Sequence, residues 1–182
     1  MTTLEIGGGY GAPGRVWMTN GLHRPETYID VDFPESLFYA EVYLRAALPK
    51  LDIVYVHENE ALTAGAGPRL VLCPIHNIDA VLSAPDLIVN TGSMQEMSDD
   101  YVAFYTEKIE RSNARLFYSF NNFAQPISDR MEMMNFAAPT MGPDWSTEFK
   151  AFHPGQRSRA EMLLVRTGAT PQSIQAAEAA VT

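Results

Sequence analysis

Residues 2–14, TTLEIGGGYGAPG, place four glycines within five positions directly after a short apolar run. A buried strand that stops at such a run must turn sharply, and glycine is the residue that accepts the positive φ and the close approaches of that turn. Strand, glycine turn and helix together open the α/β folds that hold an adenosyl cofactor at the C-terminal edge of a sheet. Two cofactor classes fit the letters. Read from Gly9, the stretch matches the dinucleotide pattern GxGxxG through Gly9, Gly11 and Gly14; read from Glu5, it matches the acidic-x-Gly-x-Gly-x-Gly turn of S-adenosylmethionine sites through Glu5, Gly7, Gly9 and Gly11.

Charge discriminates between them. A carboxylate inside the first strand opposes a diphosphate but suits a zwitterion that carries an amino group and a sulfonium. The next strand pattern, TYIDVD, ends in acids. An acid there accepts the ribose hydroxyl protons that both cofactor classes offer, so it points to adenosyl binding without choosing a class. Asp32, just before the turn FPE, is the residue assigned; Asp30 shares its face in a period-two strand and is the alternative.

Strand-like and helical stretches alternate along the rest of the chain. PESLFYAEVYLRAAL opens with Pro34 and Glu35 in first-turn positions and spaces its apolar residues as a helix does. DIVYVHE, RLVLCPI, DLIVNT and RLFYSFN read as further strands, and SDDYVAFYTEKIERSN as a helix capped by Ser98. EFKAFH and EMLLVR, separated by PGQRSR, predict an antiparallel hairpin at one edge of the sheet. The fold class is therefore α/β, a three-layer sandwich around a mostly parallel sheet, with one domain over residues 1–167 and a tail or short helix over 168–182.

At 182 residues, 46% apolar and 19% charged, the chain reads as one soluble domain, and no apolar tract or leader is visible, which sets the expectations of a cytoplasmic location and no membrane contact. A net charge of −9 without a Lys/Arg cluster argues against nucleic acid as partner. Cys73, the one cysteine, reads as a buried apolar residue.

LEIGGGYG, DVDFPESLFYAEVYL and DLIVNTGSMQEM followed by a helix with YVAFY resemble, in this order and spacing, the sugar O-methyltransferases among the class I S-adenosylmethionine-dependent enzymes. The resemblance spans residues 3–122, and NTGSMQEM is its most specific block. It implies a Rossmann-like seven-stranded sheet whose last strand inserts antiparallel, S-adenosylmethionine as cofactor and a sugar or sugar-containing small molecule as acceptor. It implies adenine contacts from the stretch Pro74–Ile78, with Ile75 assigned, and site roles for Asn90 with the cofactor and Ser93 with the substrate. Some enzymes of this kind use Mg²⁺, which leaves that ion open as a second cofactor, although Glu96, Asp99 and Asp100 read first as solvated acids of a helix start. Such enzymes also carry a segment ahead of the glycine turn, so a minimal domain, a fragment and a part of a larger assembly all stay open, as does oligomerisation. Enzymes that methylate exocyclic amines show Asn-Pro-Pro-aromatic after this strand, where the present chain has NTGS.

Methyl transfer to a hydroxyl needs alignment and a group that removes a proton. His76, after RLVLCP, and Glu96 are the candidate bases, and Asn121 and Asn122, after RLFYSF, are candidate substrate ligands. Met131, Met133 and Met134 form an apolar stripe suited to core or pocket. Two rival readings remain: an NAD-dependent oxidoreductase, which Glu5 and Pro13 oppose, and a non-catalytic binding module.

Overall fold

The computed structural model describes residues 1–21, 24–57, 62, 67–122, 141–152 and 159–168. Among these, eight strands form one sheet: β1 (Thr2–Ile6), β2 (Thr27–Asp32), β3 (Asp52–Tyr55), β4 (Arg69–Pro74), β5 (Leu87–Thr91), β6 (Leu116–Asn122), β7 (Trp145–Phe152) and β8 (Arg159–Arg166), in the order β3-β4-β2-β1-β5-β6-β8-β7. The first six in that order run parallel, and β8 enters antiparallel between β6 and β7. The sheet thus has eight strands where seven are implied by the resemblance. The additional one is β3, a four-residue edge strand from the DIVY run that lies parallel to β4.

Helices and a 3-10 segment cover the sheet. Helices α1 (Ala12–Thr19) and α2 (Pro34–Ala47) pack on one face, where Met18, Leu37, Ala40 and Leu44 meet Tyr28, Leu70 and Leu72. Helix α3 (Asp99–Arg111) and the 3-10 segment Ile75–Ala80 pack on the other, where Tyr105, Ile109 and Ile78 meet Leu4, Ile6, Val31, Val71, Cys73 and Ile88. Alternation along β1 explains the split. Leu4 and Ile6 face α3, whereas Thr3 and Glu5 point to the α1 side, so a polar pair is buried in the centre of the sheet.

Local signals hold at the helix starts. Pro34 begins α2 with Glu35 in its first turn, and Ser98 occupies the N-cap of α3, although its hydroxyl makes no capping bond there. At the far end of α3 the Arg166 guanidinium donates to the carbonyls of Ile109, Glu110 and Ser112 and stacks 4.5 Å over Trp145, which joins the hairpin to that helix. Residues 169–182, most of the predicted tail, and Met131, Met133 and Met134 lie outside the described residues. No described helix is long and apolar enough to cross a membrane.

Candidate functional site

The C-terminal ends of β1, β2 and β5 open on a cleft of about 610 Å³ lined by Gly7–Gly9, Tyr10, Ala12, Pro13, Asp32, Phe33, Thr91–Ser93, Glu96, Met97 and Tyr105. That is the position where open α/β sheets bind ligands, at the point where the connections from β1 to β2 and from β5 to β6 run in opposite directions. Phe33 and Tyr101 pair edge to face at 5.8 Å, and Tyr10 and Tyr43 do so at 5.4 Å. The described lining contains two carboxylates, Asp32 and Glu96, and no Lys, Arg or His.

The glycine turn is built from the inside. Gly7 adopts φ 75°, and a Cβ there would collide with the Ser93 side chain; a Cβ on Gly8 would meet the Asp30 carboxylate at 2.5 Å. Gly11 likewise gives way to Leu44. These three make room for the protein's own side chains. Gly9, at φ 62° with nothing within 4 Å of the place a Cβ would take, is the glycine whose open side faces the cleft.

The four glycine amides of the turn already have acceptors. Gly7 N–H donates to the Val31 carbonyl at 2.8 Å, Gly8 N–H to Asp30 Oδ1 at 3.2 Å, Gly9 N–H to Asp32 Oδ2 at 2.8 Å and Gly11 N–H to the Gly8 carbonyl at 3.1 Å. Pro13, in the first turn of α1, has no N–H to offer. A diphosphate is held by free amides at such a turn; here carboxylates and carbonyls hold them instead. Asp32 also accepts the Phe33 N–H at 2.7 Å and remains on the cleft wall.

Glu5 lies behind that wall. It is fully buried, accepts from Thr91 Oγ1 at 2.8 Å and from the Tyr28 hydroxyl, and reaches the cleft only through Thr91. Burial pushes its carboxyl up to about 7 against the pull of the Tyr28 and Thr91 hydroxyls, with the Asp32 charge adding to the rise. Asp30, paired with Glu5 across β1 and β2, is pushed well above the usual carboxylate range by burial, then by the charges of Glu5 and Asp32. Its Oδ2 is buried without a hydrogen-bond partner. Asp32 is thus the acid that meets the cleft, and Asp30 the one that supports the turn.

The opposite wall rests on a neutral network, with the Glu96 carboxylate exposed at its end. Asn90 Nδ2 donates to the Ile6 carbonyl at 2.8 Å and to Ser93 Oγ, while its Oδ1 accepts from Met94 N–H at 3.2 Å and Asn121 Nδ2 at 2.9 Å. Asn121 Nδ2 also reaches Ser119 Oγ, its Oδ1 accepts the Gln95 N–H, and Gln95 Oε1 accepts the Asn122 N–H at 2.6 Å. Ser93 lines the cleft, but its hydroxyl donates to the Ile6 carbonyl at 2.9 Å. The network fixes the loop after β5 to the ends of β1 and β6 and so sets where the 3-10 turn Met94–Glu96 presents Glu96.

Of the residues assigned from sequence, Gly7, Gly9, Asp32, Ser93 and Glu96 line the cleft together. Gly11 and Glu5 support it from behind, and Asn90 and Asn121 act within the buried network. His76 is exposed on the 3-10 segment and Ile75 packs against the core; neither is among the lining residues, nor is Asn122. Cys73 is buried with its thiol pushed up to about 12 by burial, as an inert core residue requires. Tyr10, Phe33 and Met97 escape the sequence reading, because such residues in helix and turn patterns read as core, whereas Tyr105, read as core from its helical spacing, is buried there and also reaches the cleft. Among the described residues no group of three or more His, Cys, Asp or Glu is placed to hold a metal, so the structure gives Mg²⁺ no support.

No family model matches the sequence, and no curated protein matches it. Solved structures do match the fold. The protein of the disulfide-to-thioacetal conversion in echinomycin biosynthesis superposes with a TM-score of 0.63 at 11% identity, over 98% of this chain and 80% of that one. The methyltransferase domain of bacterial CtHen1 gives 0.62 at 12% identity over 91% and 89%. Mitomycin 7-O-methyltransferase MmcR gives 0.57 at 12% identity over 91% of this chain, which spans 49% of that enzyme's length. Others of similar score include an rRNA methylase from Escherichia coli. The Rossmann-like methyltransferase fold is therefore shown, with the antiparallel hairpin in place, while the acceptors named among these structures are too varied to carry a sugar specificity.

Proposed function

We propose that the cleft binds S-adenosylmethionine and that the protein is a methyltransferase acting on an oxygen of a small acceptor, with a sugar-containing molecule as the class to which the NTGSMQEM block points. One observation carries the cofactor: the amides of Gly7, Gly8, Gly9 and Gly11 are taken by carboxylates and carbonyls, and the described lining is acidic without a cation. Such a surface attracts a positively charged ligand and repels a diphosphate. It weighs against the NAD reading despite the Gly9, Gly11, Gly14 match.

The residues present fit that cofactor. The lone pairs of Asp32 not engaged by Gly9 and Phe33 would accept the ribose hydroxyl protons, the open side of Gly9 leaves space for the chain of the ligand, and Phe33, Met97 and Tyr105 offer apolar surface for a purine. When bound, S-adenosylmethionine supplies an electrophilic methyl group. Glu96 then has the role of base, since it is exposed on the lining and its carboxylate can take the proton from the acceptor hydroxyl. His76 is not given that role because it stands outside the lining.

Titration calorimetry with S-adenosylmethionine and with NAD tests the reading. Micromolar binding of the first with none of the second is expected. Binding of NAD alone would replace the proposal with an oxidoreductase, and binding of neither would leave a non-catalytic module.

A further inference from the structure

Glu5, Asp30 and Asp32 stand on adjacent strands at the base of the cleft, and the first two are buried to 0% and 1% exposure. Among the described residues, every group that faces them is neutral or acidic. From β2 come the Tyr28 hydroxyl and the two aspartates; from β4, the Cys73 thiol beside Asp30; from β5, the Thr91 hydroxyl; from α3, Tyr105 near Asp32; and from β3, Tyr55 at longer range. Among the described residues, no Lys or Arg is among the charges that bear on Glu5 or Asp30, and none of the described ion pairs includes them.

Three close carboxylates, two of them desolvated, cannot all be ionised without a compensating positive charge. Asp30 Oδ2, buried without a hydrogen-bond partner, shows that the protein does not compensate them with donors of its own there. Two sources of positive charge are then available: a proton on the Glu5–Asp30 pair, or a cation in the cleft next to Thr91, one hydrogen bond from Glu5.

We infer that the Glu5–Asp30 pair makes the cleft exchange a proton for its cationic ligand, so that binding of S-adenosylmethionine expels a proton to solvent. The exchange rests on the proposed cofactor. The balance is simple: the protonated carboxyl loses H⁺ to water, the carboxylate left behind is neutralised by the ligand's positive charge, and no bond in the ligand changes. Selection by charge follows, because a neutral or anionic ligand of the same shape gains nothing from the exchange. Burial holding Glu5 near neutrality puts the exchange in the physiological range.

Calorimetry of S-adenosylmethionine binding at pH 6.5, in two buffers of different ionisation enthalpy, counts the protons released. Release of most of one proton is expected, with affinity roughly eightfold weaker at pH 6.0 than at pH 7.5 by linkage. In Glu5→Gln, which keeps the shape and one of the two oxygens that accept from Thr91 and Tyr28, the release and the pH slope are expected to vanish. Binding without buffer-dependent heat, or a pH slope unchanged in Glu5→Gln, would overturn the exchange and leave the cofactor assignment standing; absence of binding at every pH would overturn both.

Discussion

The two walls of the cleft end the same sheet and are organised on opposite principles. On the β1–β2 side, acids hold the backbone: Asp30 and Asp32 take the amides of Gly8 and Gly9, with Glu5 packed behind them. On the β5–β6 side, Asn90, Ser93, Gln95 and Asn121 satisfy one another and the backbone without a charge. A buried neutral network satisfied on all sides holds a shape, and its worth does not depend on pH. A buried acidic cluster holds a shape and a field together, so its contribution changes with protonation and with a charged ligand. One wall fixes position, and the other, on the proposed reading, selects by charge.

The largest expected effect lies on the neutral wall. Asn90→Ala removes four hydrogen-bond contacts and leaves the buried Met94 N–H without its acceptor, so a loss of about 3 kcal/mol in urea unfolding is expected, with little change between pH 6 and pH 8. A strongly pH-dependent loss there would erase the contrast between the walls. Glu96→Gln probes what that wall presents: a fall in kcat of about a hundredfold at nearly constant cofactor affinity is expected for a general base, whereas His76→Ala is expected to leave kcat unchanged. Steady-state kinetics on an accepted substrate, with cofactor affinity read by calorimetry, separates the two.

The acidic wall responds to pH in the opposite sense from an ordinary surface carboxylate. Glu5 is raised in the folded protein to about 7 from 4.5, so its contribution to stability is present below about 4.5 and lost as pH rises through about 7. The unliganded protein is therefore expected to lose about 2 kcal/mol of stability from this group between pH 5.5 and pH 8, a loss that Glu5→Gln removes. Denaturant titrations of both proteins across that range measure it. A stability that rises over the same range in both would place the controlling group elsewhere.

Much of this division is local enough to be read from the chain. The strand, glycine turn and helix at residues 2–19, Pro34 at the start of α2 and the hairpin flanking PGQRSR are each set by neighbours in sequence. What joins them is not. Glu5 meets Tyr28 across 23 residues and Asn90 meets Asn121 across 31, and nothing in either local pattern names the partner. The glycines illustrate the same limit: Gly9 has open space beside it at the cleft, while Gly7, Gly8 and Gly11 yield to Ser93, Asp30 and Leu44, all distant in the chain. The edge strand β3 was legible as a strand, but its parallel pairing to β4, which makes the sheet eight-stranded, depends on a crossover that periodicity does not encode.

The amide protons of Gly8 and Gly9 test the central claim most directly, since they are the donors that a diphosphate would need. In nitrogen-edited NMR spectra, both are expected to be protected from exchange in the free protein, to stay protected on addition of S-adenosylhomocysteine while neighbouring cleft resonances shift, and to show no response to pyrophosphate. Rapid exchange of these two amides in the free protein, with protection appearing only on addition of pyrophosphate or NAD, would contradict the account.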